Sequence, residues 1–396
     1  MSAPRQPHVC MVAYTEYDTD ARVRREAETL AANGFDVRCL CLTRDRRTPY
    51  RLEGVHVAPL AVRKYRGKST GAYVASYLRF LLLAGGTCLT LLARGELDVV
   101  HVHNIPDFLV AAALIPRLAG RKVVLDVHDS VPETFATKFS QRAAVWKLLC
   151  LEERLSARVA HRVICVNHPQ RDRLVARGIP GKKVFVSMNV PDPAIFGNGN
   201  GHRRPAASAG DGVNLVYHGT MAERLGVDLV IRAVAMVRPR VPDVRLHLWG
   251  SGDDLPAFQQ LAASLGVTDR VLFRPEGYAL RELPERLSRM HIGVVGNRHT
   301  PAGELMLPVK LLEYVSLGIP AIAPRLPTIR RYFDEDMVTY FEPGSVSALA
   351  DSIHRLASQP ALRAAQAARA ISFLAEYGWH QQGADFVRFY RRLVES

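Results

Sequence analysis

Apolar and polar positions alternate along the chain in a way that predicts parallel β-sheets covered by helices. Short apolar runs are separated by longer segments in which apolar residues recur every three or four positions. In the first half this pattern predicts strands at residues 8–13, 35–42, 55–60, 98–102, 122–127, 162–166 and 184–186, with 55–60 at an edge. It predicts helices at residues 21–32, 71–93, 107–118 and 146–161.

The same alternation starts again after residue 212. Strands are predicted at residues 214–217, 245–249, 271–273, 292–295, 319–323 and 339–341, and helices at 227–237, 255–265, 309–317, 347–375 and 384–394. Residues 190–212 are rich in Pro, Gly, Asn, Ser and Ala, which is typical of a linker. We therefore predict an α/β protein with two Rossmann-like parallel-sheet domains, residues 1–190 and 213–379, joined by a linker at 191–212. Ligands bind beyond the C-terminal ends of parallel strands, so two such domains facing each other would form an inter-domain cleft.

Length and composition agree with this division. The chain has 396 residues, whereas single cores rarely grow beyond about 250–300 residues. Its formal net charge of +14 favours an anionic partner, although an arginine-rich genome would produce the same excess. The six cysteines include no C-x-x-C pair, so we expect buried thiols in a reducing cytoplasm.

Residues 71–93 are apolar enough to raise the question of a membrane span. Arg79 interrupts the segment, and the uncharged run that follows, residues 80–93, is shorter than the ~20 residues that a spanning helix needs. We therefore expect a buried helix. The polar residues that open the chain predict no signal peptide.

Residues 308–313 carry the most specific chemical signal. Pro308 suits the first turn of a helix, on which Lys310 and Glu313 share one face. A helix N-terminus attracts anions through its free N–H groups, and a lysine there opposes the helix dipole unless an anion binds. We predict that Lys310 binds a phosphate group and that Glu313 accepts hydrogen bonds from sugar hydroxyls. The alternative is a solvated Lys–Glu pair on an amphipathic helix.

The run LPVKLLEYVSLGIPAIAP, residues 307–324, resembles the donor-site segment of glycosyltransferase family 4. The resemblance implies the GT-B fold, a nucleotide-sugar donor in the second domain, a terminal segment (380–396) that packs back on the first domain, and reaction with retention. It implies that Glu313 binds the donor ribose and that Leu307 and Pro308 line the donor site. The family's earlier glutamate would fall at Leu305, and the nearest carboxylate, Glu304, is the candidate for donor contact.

Small residues after two predicted strands mark further parts of the donor site. Gly219 and Thr220 follow the strand at 214–217, and a glycine there lets the backbone approach a ligand closely. Gly250 and Gly252 follow the strand at 245–249, in a loop that lies near the nucleotide in the family. We assign all four to donor binding.

The segment 217–228 resembles the phosphate loop of a subset of the family. An arginine can bind a diphosphate through two parallel hydrogen bonds, so we assign the phosphate clamp to Arg224 together with Lys310. The alternative for Arg224 is a surface arginine at a helix start. Both residues are candidate catalytic residues.

Ionisable residues also follow the predicted strand at 122–127. His128, Asp129 and Glu133 are costly at a strand end unless a cleft or hydrogen bonds accommodate them. The resemblance places His128 against the donor sugar or the leaving phosphate, as a third catalytic residue. Asp129 is assigned to the acceptor side, and the alternative is that Asp129 and Glu133 bind backbone N–H groups.

Two histidines on the strand before this one could suggest a metal. His101 and His103 share one strand face, but no third ligand has a suitable spacing. We favour an acceptor-side loop that contains His103 and Asn104, with Asp107 capping the next helix. Asp20 is assigned to the acceptor side as well, first as the cap of the helix at 21–32.

Residues 63–68, with the sequence RKYRGK, lie close to Tyr73 and Tyr77. Basic residues beside aromatic ones suit an anionic membrane surface, and a solvated loop is the alternative. We accordingly expect a cytoplasmic protein with the inner face of the cell membrane as a candidate location.

These observations lead to one functional prediction. We expect a retaining glycosyltransferase that moves a sugar from a UDP- or GDP-type nucleotide-sugar to a glycan or lipid-linked glycan, in exopolysaccharide or cell-envelope synthesis. We expect no cofactor, no metal requirement and no nucleic-acid partner, since no nucleic-acid module is evident. A GT-B sugar-nucleotide epimerase and a transferase to small natural products are the alternatives.

Overall fold

The computed structural model describes residues 5–43, 48–65, 67, 69–138, 143–197 and 212–396. The chain divides into two compact units. Unit 1 consists of Met1–Asn189 and Gln382–Ser396, and unit 2 consists of Val190–Gln381. Arg66, Lys68 and positions 198–211 of the predicted linker lie outside the described residues.

Unit 1 is built on an eight-stranded sheet. Its strands are β1 (His8–Ala13), β2 (Asp36–Leu42), β3 (Tyr50–Leu52), β4 (Val55–Leu60), β5 (Val99–His103), β6 (Lys122–Val127), β7 (Arg162–Cys165) and β8 (Val184–Val186). Their order is β3-β4-β2-β1-β5-β6-β7-β8, and every pair is parallel except β3–β4. The prediction of an edge position for residues 55–60 is wrong, because Glu53 and Gly54, with φ of 47° and 81°, turn β3 back onto β4.

Helices cover this sheet. They are α1 (Ala21–Ala32), α2 (Thr70–Ala93), α3 (Leu114–Leu118), α4 (Val131–Lys138), α5 (Ala143–Val159) and α6 (His168–Ala176). A 3-10 helix, Asp107–Ala113, precedes α3 in place of the single helix predicted over 107–118. The side chain of Asp20 caps α1 by accepting a hydrogen bond of 3.1 Å from the Val23 N–H.

The prediction that residues 71–93 form a buried helix is wrong. One face of α2, including Phe80, Ala84 and Cys88, lies in the core of unit 1. However, only 22% of its most apolar stretch is buried, and by length and composition alone the helix could cross a membrane. A helix that is apolar on all sides gives no pattern from which burial could be deduced.

Unit 2 contains a six-stranded parallel sheet. Its strands are β9 (Val213–His218), β10 (Val244–Trp249), β11 (Val271–Arg274), β12 (Ile292–Val294), β13 (Ala321–Pro324) and β14 (Thr339–Phe341), in the order β11-β10-β9-β12-β13-β14. The first strand, β9, lies between β10 and β12, so the chain moves outwards from it in both directions. Such a reversal of strand order is where open parallel sheets bind ligands.

The helices of unit 2 follow the same rule of alternation. They are α7 (Pro193–Phe196), α8 (Val227–Val237), α9 (Leu255–Ser264), α10 (Leu283–Ser288), α11 (Pro301–Leu305), α12 (Val309–Ser316), α13 (Pro327–Tyr332), α14 (Val346–Ser358), α15 (Pro360–Ala370) and α16 (Ser372–Tyr377). Pro360 starts a new helix where the sequence predicted a largely continuous one.

The last helix, α17 (Trp379–Glu395), belongs to unit 1 from Gln382 onwards. It begins five residues before the predicted 384–394 helix. Phe386 and Tyr390 are fully buried, and the hydroxyl of Tyr390 lies 2.6 Å from Nδ1 of His101.

Candidate active site

In unit 2, the candidate donor site lies where β9 ends and α12 begins. Pro308 directly precedes α12 as its N-cap residue, rather than occupying its first turn, and no side chain of the described residues caps this helix. The first backbone N–H groups of α12 are therefore available to an anion. Lys310 lies in the first turn of α12, as predicted.

Lys310 is a cation held against the protein interior. Its Nζ lies 3.6 Å from the centre of the Tyr217 ring. Burial lowers the pKa of Lys310 to about 7, although Glu313 acts to raise it, and Arg224 lowers it further. A negatively charged ligand would remove this penalty, so the environment of Lys310 favours an anion.

Glu313 is buried one turn further along α12. Its Oε2 lies 3.1 Å from Nε2 of His218, the last residue of β9. Burial raises the pKa of Glu313 to about 7, and burial together with Lys310 lowers the pKa of His218 to about 3. His218 is therefore a neutral ring at neutral pH, beside the carboxyl group of Glu313. The sequence motif contained Tyr217 and His218, but their roles were missed because only their position at a strand end signals them.

Glycines allow the loops after β9 and β10 to touch. Gly219 has φ of 108° and Gly250 has φ of 127°. A Cβ on Gly250 would lie 2.2 Å from the carbonyl oxygen of Gly219, and one on Gly252 would lie 2.1 Å from that of Met221. Larger residues cannot occupy these positions without moving the loops apart. A Cβ on Gly219 itself would face Nζ of Lys310 at 3.8 Å, so this loop borders the candidate phosphate site.

Arg224 lies in an exposed 3-10 turn, Glu223–Leu225, which follows the glycine loop. Its guanidinium makes no hydrogen bond or ion pair with any described residue. The turn itself is anchored by Arg298, whose backbone N–H donates to the Arg224 carbonyl oxygen at 3.2 Å and whose guanidinium pairs with Asp228. Arg224 is thus placed near the site on a fixed turn while its head group stays free.

Thr220 is exposed, and its carbonyl oxygen accepts a hydrogen bond from the Tyr217 hydroxyl.

A second pair of touching glycines was not predicted from the sequence. A Cβ on Gly226 would lie 1.9 Å from the carbonyl oxygen of Gly296, and Gly226 has φ of 70°. The start of α8 therefore packs backbone to backbone against the loop after β12. Nothing in the local sequence identifies these two residues as partners.

Glu304, the candidate for donor contact on α11, is engaged elsewhere in the structure. Its Oε1 lies 2.7 Å from Nε2 of His299, and its carbonyl oxygen accepts a hydrogen bond from Thr328. Leu307 is half-buried and Pro308 is buried between α11 and α12. The donor assignments of Glu304 and Leu307 remain predictions.

In unit 1, side chains from α1, β5 and the loop after β6 gather around the carboxylate of Asp126. Arg22 donates to both of its oxygens, at 2.8 and 3.1 Å, and Nε2 of His128 lies 3.0 Å away. Burial acts to raise the pKa of Asp126, but Arg22 and His128 hold it well below its usual range. Burial likewise acts to lower the pKa of His128, but the Asp126 carboxylate raises it overall.

His128 is the histidine of this cluster that can meet a substrate. Its side chain is 21% exposed, whereas His101 and His103 are buried and stacked on each other, with ring centres 4.1 Å apart. Burial lowers the pKa of both buried rings. Nδ1 of His103 lies 3.0 Å from Nε2 of His128, so His103 positions His128.

Asn104 fixes the loop that carries His128 and Asp129. Its Oδ1 accepts from the His128 N–H at 2.7 Å, and its Nδ2 donates to the Asp129 carbonyl oxygen at 2.7 Å. The prediction that Asp107 caps a helix is wrong: it is fully buried and accepts a hydrogen bond from Asn104 instead. The Asp129 side chain is exposed.

Glu133 is structural, but not in the way considered from the sequence. Its buried carboxylate accepts from the hydroxyl of Ser130 and from the guanidinium of Arg177, rather than from backbone N–H groups. Arg177 also pairs with Glu153 at 2.8 Å. The two carboxylates thus share one arginine behind the His128 loop.

The fold brings two carboxyl groups close to His101 and His103, which the sequence spacing of possible metal ligands did not reveal. One ligand atom each from Glu26, His101, His103 and Asp126 lies within 4.8 Å of the others. Arg22 pairs with both acidic side chains, at 3.1 Å from Glu26 and 2.8 Å from Asp126, and burial raises the pKa of Glu26 to about 8. A guanidinium therefore occupies the place of a compensating cation, and the expectation of no metal requirement stays a prediction.

Two family models match the chain. One, described as "Glycosyl transferase 4-like domain", matches residues 19–189, and the other, "Glycosyl transferases group 1", matches residues 212–359. The first match covers strands β2 to β8, and the second covers strands β9 to β14.

Curated relatives have similar names but are distant. One from Arabidopsis thaliana, a component of phosphatidylinositol N-acetylglucosaminyltransferase, is 25% identical over 64% of this chain and 53% of its own. An alpha-D-kanosaminyltransferase from Streptomyces kanamyceticus is 24% identical over 74% and 77%. A GDP-mannose-dependent alpha-(1-6)-phosphatidylinositol monomannoside mannosyltransferase from Mycolicibacterium smegmatis is 28% identical over 49% and 51%. The chain thus spans about half the length of two of these relatives.

Solved structures share the architecture. A sucrose-phosphate synthase from Thermosynechococcus elongatus superimposes with a TM-score of 0.78 at 16% identity, over 98% of this chain and 99% of its own. Anabaena HepE in complex with UDP gives a TM-score of 0.71 at 14% identity, over 97% and 100%. The two matched domains and this shared fold agree with the resemblance seen in residues 307–324. The chain therefore belongs to glycosyltransferase family 4, as an enzyme of the glycosyltransferase class with two Rossmann-like domains in the GT-B fold.

Proposed function

We propose that this enzyme transfers a sugar from a UDP- or GDP-type nucleotide-sugar to a hydroxyl group of a glycan or lipid-linked acceptor, with retention at the anomeric carbon. The observation that carries the proposal is the partly buried Lys310 at the uncapped start of α12, with Glu313 one turn away. The UDP complex of Anabaena HepE supports a uridine nucleotide as the first donor to test.

In the proposed mechanism the donor diphosphate binds the Lys310 ammonium and the first N–H groups of α12. Arg224, whose guanidinium is free of described partners, closes on the same phosphates. Glu313 accepts hydrogen bonds from the ribose hydroxyls, and the glycine loop at Gly219 leaves room for the phosphates beside Lys310. These groups stabilise the negative charge that grows on the diphosphate as the sugar leaves.

Retention follows in this proposal from the leaving diphosphate itself. It accepts the proton of the acceptor hydroxyl while that hydroxyl attacks the face from which the diphosphate departs. Within unit 1, Asp126 raises the pKa of His128, so the ring of His128 is the proton donor of that cluster that can meet a substrate.

An anionic acceptor group fits a cavity in unit 1. This cavity of about 640 Å³ lies between the end of β4 and the first half of α2, and two of its lining residues are Arg63 and Arg79. Neither guanidinium is ion-paired with a described carboxylate. Two of the relatives are named for phosphatidylinositol-type lipids, which carry a phosphate group. We propose a phosphate-bearing lipid acceptor at the cytoplasmic face of a membrane, rather than a small natural product.

The test is a ligand screen followed by a transfer assay. UDP, GDP, ADP and their sugars are compared by thermal shift, because a ligand of the native state raises the unfolding temperature. With the best donor, Lys310→Ala and Arg224→Ala should each lower turnover by roughly 10²–10³-fold. Arg232→Ala, an exposed arginine on α8, is the matched control.

Two results would count against the proposal. Turnover near the wild-type level in both Lys310→Ala and Arg224→Ala would remove the phosphate clamp. Conversion of the sugar nucleotide to an epimer, in the absence of any acceptor, would favour the epimerase alternative.

A further inference from the structure

The outward face of α2 is largely apolar, and Arg79 is the only charged residue in the sequence of this helix. Leu78, Leu82 and Leu89 are exposed, and the Leu82 side chain is 74% accessible. The small residues Ala75 and Gly86 are exposed on the same helix. The opposite face of the same helix packs into the core of unit 1. A helix at a water-exposed surface normally presents polar residues on its outward face.

The neighbouring helices extend this face. The 3-10 helix Asp107–Ala113 packs against both α2 and α5, and α3 also contacts α2, so these elements form one layer over the sheet. Exposed leucine and isoleucine side chains continue across α3 and α5: Leu114, Ile115, Leu118, Leu148, Leu151 and Leu155. Leu118 is 86% accessible and Leu148 is 63% accessible. Contiguous apolar surface of this kind marks an interaction site.

The charges on this surface have one sign. The sequences of α2 and α3 contain no Asp or Glu. In α5, Glu153 is buried against Arg177, and Glu152 accepts a hydrogen bond from Ser156. Exposed basic residues stand on α2 and α5: Arg79, Lys147, Arg154 and Arg158. None of these four is ion-paired with a carboxylate in the part of the chain that the structure describes.

We propose that the α2–α3–α5 face docks unit 1 in the plane of an anionic lipid bilayer. The leucines enter the boundary between head groups and acyl chains, and the four basic residues bind lipid phosphates. The site differs from the basic cluster at 63–68 that the sequence suggested, although Arg79 also lines the cavity beside that cluster. The proposal does not depend on the sugar-transfer chemistry.

Two other occupants fit the face less well. If α2 spanned the bilayer it would have to leave the sheet, which would expose the core positions Phe80, Ala84 and Cys88. A second copy of the chain, packed by two-fold symmetry, would bring the same face against itself. Its unpaired cations would then meet like charges, with no acidic partner.

The test is flotation of the full chain with vesicles that contain no inositol lipid or glycan acceptor. We expect binding to phosphatidylcholine vesicles with about 30% phosphatidylglycerol to exceed binding to pure phosphatidylcholine by about tenfold or more, and to weaken in 0.5 M salt. The double variant Leu82→Glu, Leu118→Glu should reduce the partition coefficient at least ~tenfold. Both positions are highly exposed, so folding should be preserved.

A matched control places the same two charges on unit 2. Met236→Glu with Leu265→Glu, also exposed positions, should bind vesicles like the wild type. The thermal unfolding midpoint and the UDP affinity of both double variants report on folding and on the donor site separately. Equal flotation of the two double variants would overturn the proposal.

Two further outcomes would also overturn it. Protein that resists release by an alkaline carbonate wash would indicate insertion across the bilayer. A dimer in light scattering that dissociates in Leu82→Glu, Leu118→Glu, together with no vesicle binding by the wild type, would assign the face to a second copy.

Discussion

At the scale of single residues, the candidate donor site is defined by ionisable groups that the fold places in unfavourable surroundings. The pKa of Lys310 falls to about 7 and that of Glu313 rises to about 7, in both cases first because of burial. Each group therefore changes charge readily near neutral pH. Perturbed groups of this kind are frequent at functional sites, because a ligand supplies the charge that the interior lacks.

The lowered pKa of Lys310 predicts a pH-dependent donor affinity. The diphosphate binds the protonated form of Lys310 and raises the pKa of its ammonium group. The full donor affinity is therefore present below pH 7. It is lost as the pH rises above about 7, by up to about tenfold per pH unit. Titration calorimetry with UDP-glucose between pH 6.5 and 8.5 measures this decline. Lys310→Arg, which stays charged, should bind with no such decline; an identical decline in that variant would exclude Lys310 as its source.

The sequence predicted the residues of this site that are neighbours on one element. Lys310 and Glu313 could be paired because a helix repeats every 3.6 residues, and Gly219 because it ends a strand. The contact of Glu313 with His218 could not be predicted, because it depends on how α12 packs against β9. The Arg22–Asp126 pair joins residues 104 positions apart for the same reason.

At the scale of elements, the candidate donor site rests on loops that touch through their backbones. The loops after β9 and β10 meet at Gly219 and Gly250, and the start of α8 meets the loop after β12 at Gly226 and Gly296. These loops lie near the centre of the sheet, where the strand order reverses at β9. The site thus follows from the topology as much as from its charged residues.

The glycine loop predicts an effect of one added methyl group. Gly250→Ala would place its Cβ 2.2 Å from the Gly219 carbonyl oxygen, so the loops must separate and UDP affinity should fall by more than about tenfold. Gly266→Ala is the control, since Gly266 also has a positive φ of 65° but has open space around it. It should carry only the backbone strain of about 1–2 kcal/mol and leave UDP affinity unchanged. Equal affinities in both variants would show that loop contact is not required.

Alternation of apolar and polar runs predicted most strands, because a buried parallel strand reads as a continuous apolar segment. The pattern failed where it carries no directional information. The strand β3 is only three residues long, and its pairing removed β4 from the edge. The helix α2 is apolar on every side, so its exposed face looked the same as its buried one.

At the scale of the whole molecule, unit 1 is completed by the end of the chain. Helix α17 returns from unit 2 and buries Phe386 and Tyr390, and the Tyr390 hydroxyl contacts His101. The family resemblance predicted this return. No local pattern could have done so, because all of unit 2 separates α17 in sequence from the rest of unit 1. The residues assigned to the candidate phosphate and ribose sites, by contrast, belong to unit 2.

This division predicts that stability and donor binding can be separated. Tyr390→Ala should destabilise unit 1 by about 3–5 kcal/mol, because it leaves a cavity in a fully buried position. Tyr390→Phe, which keeps the ring and loses only the contact with His101, should cost about 1–3 kcal/mol. Differential scanning calorimetry measures both losses. UDP affinity below the unfolding transition should stay within about twofold of wild type, and a large loss of affinity would contradict the assignment of the donor site to unit 2.

A crystal structure of the enzyme with UDP would decide where the donor binds. We predict that the diphosphate lies within hydrogen-bonding distance of Nζ of Lys310 and of the first N–H groups of α12, and that the ribose hydroxyls donate to Glu313. A nucleotide bound elsewhere in the chain, or a Lys310 side chain that still lies only against Tyr217 in the complex, would contradict this assignment.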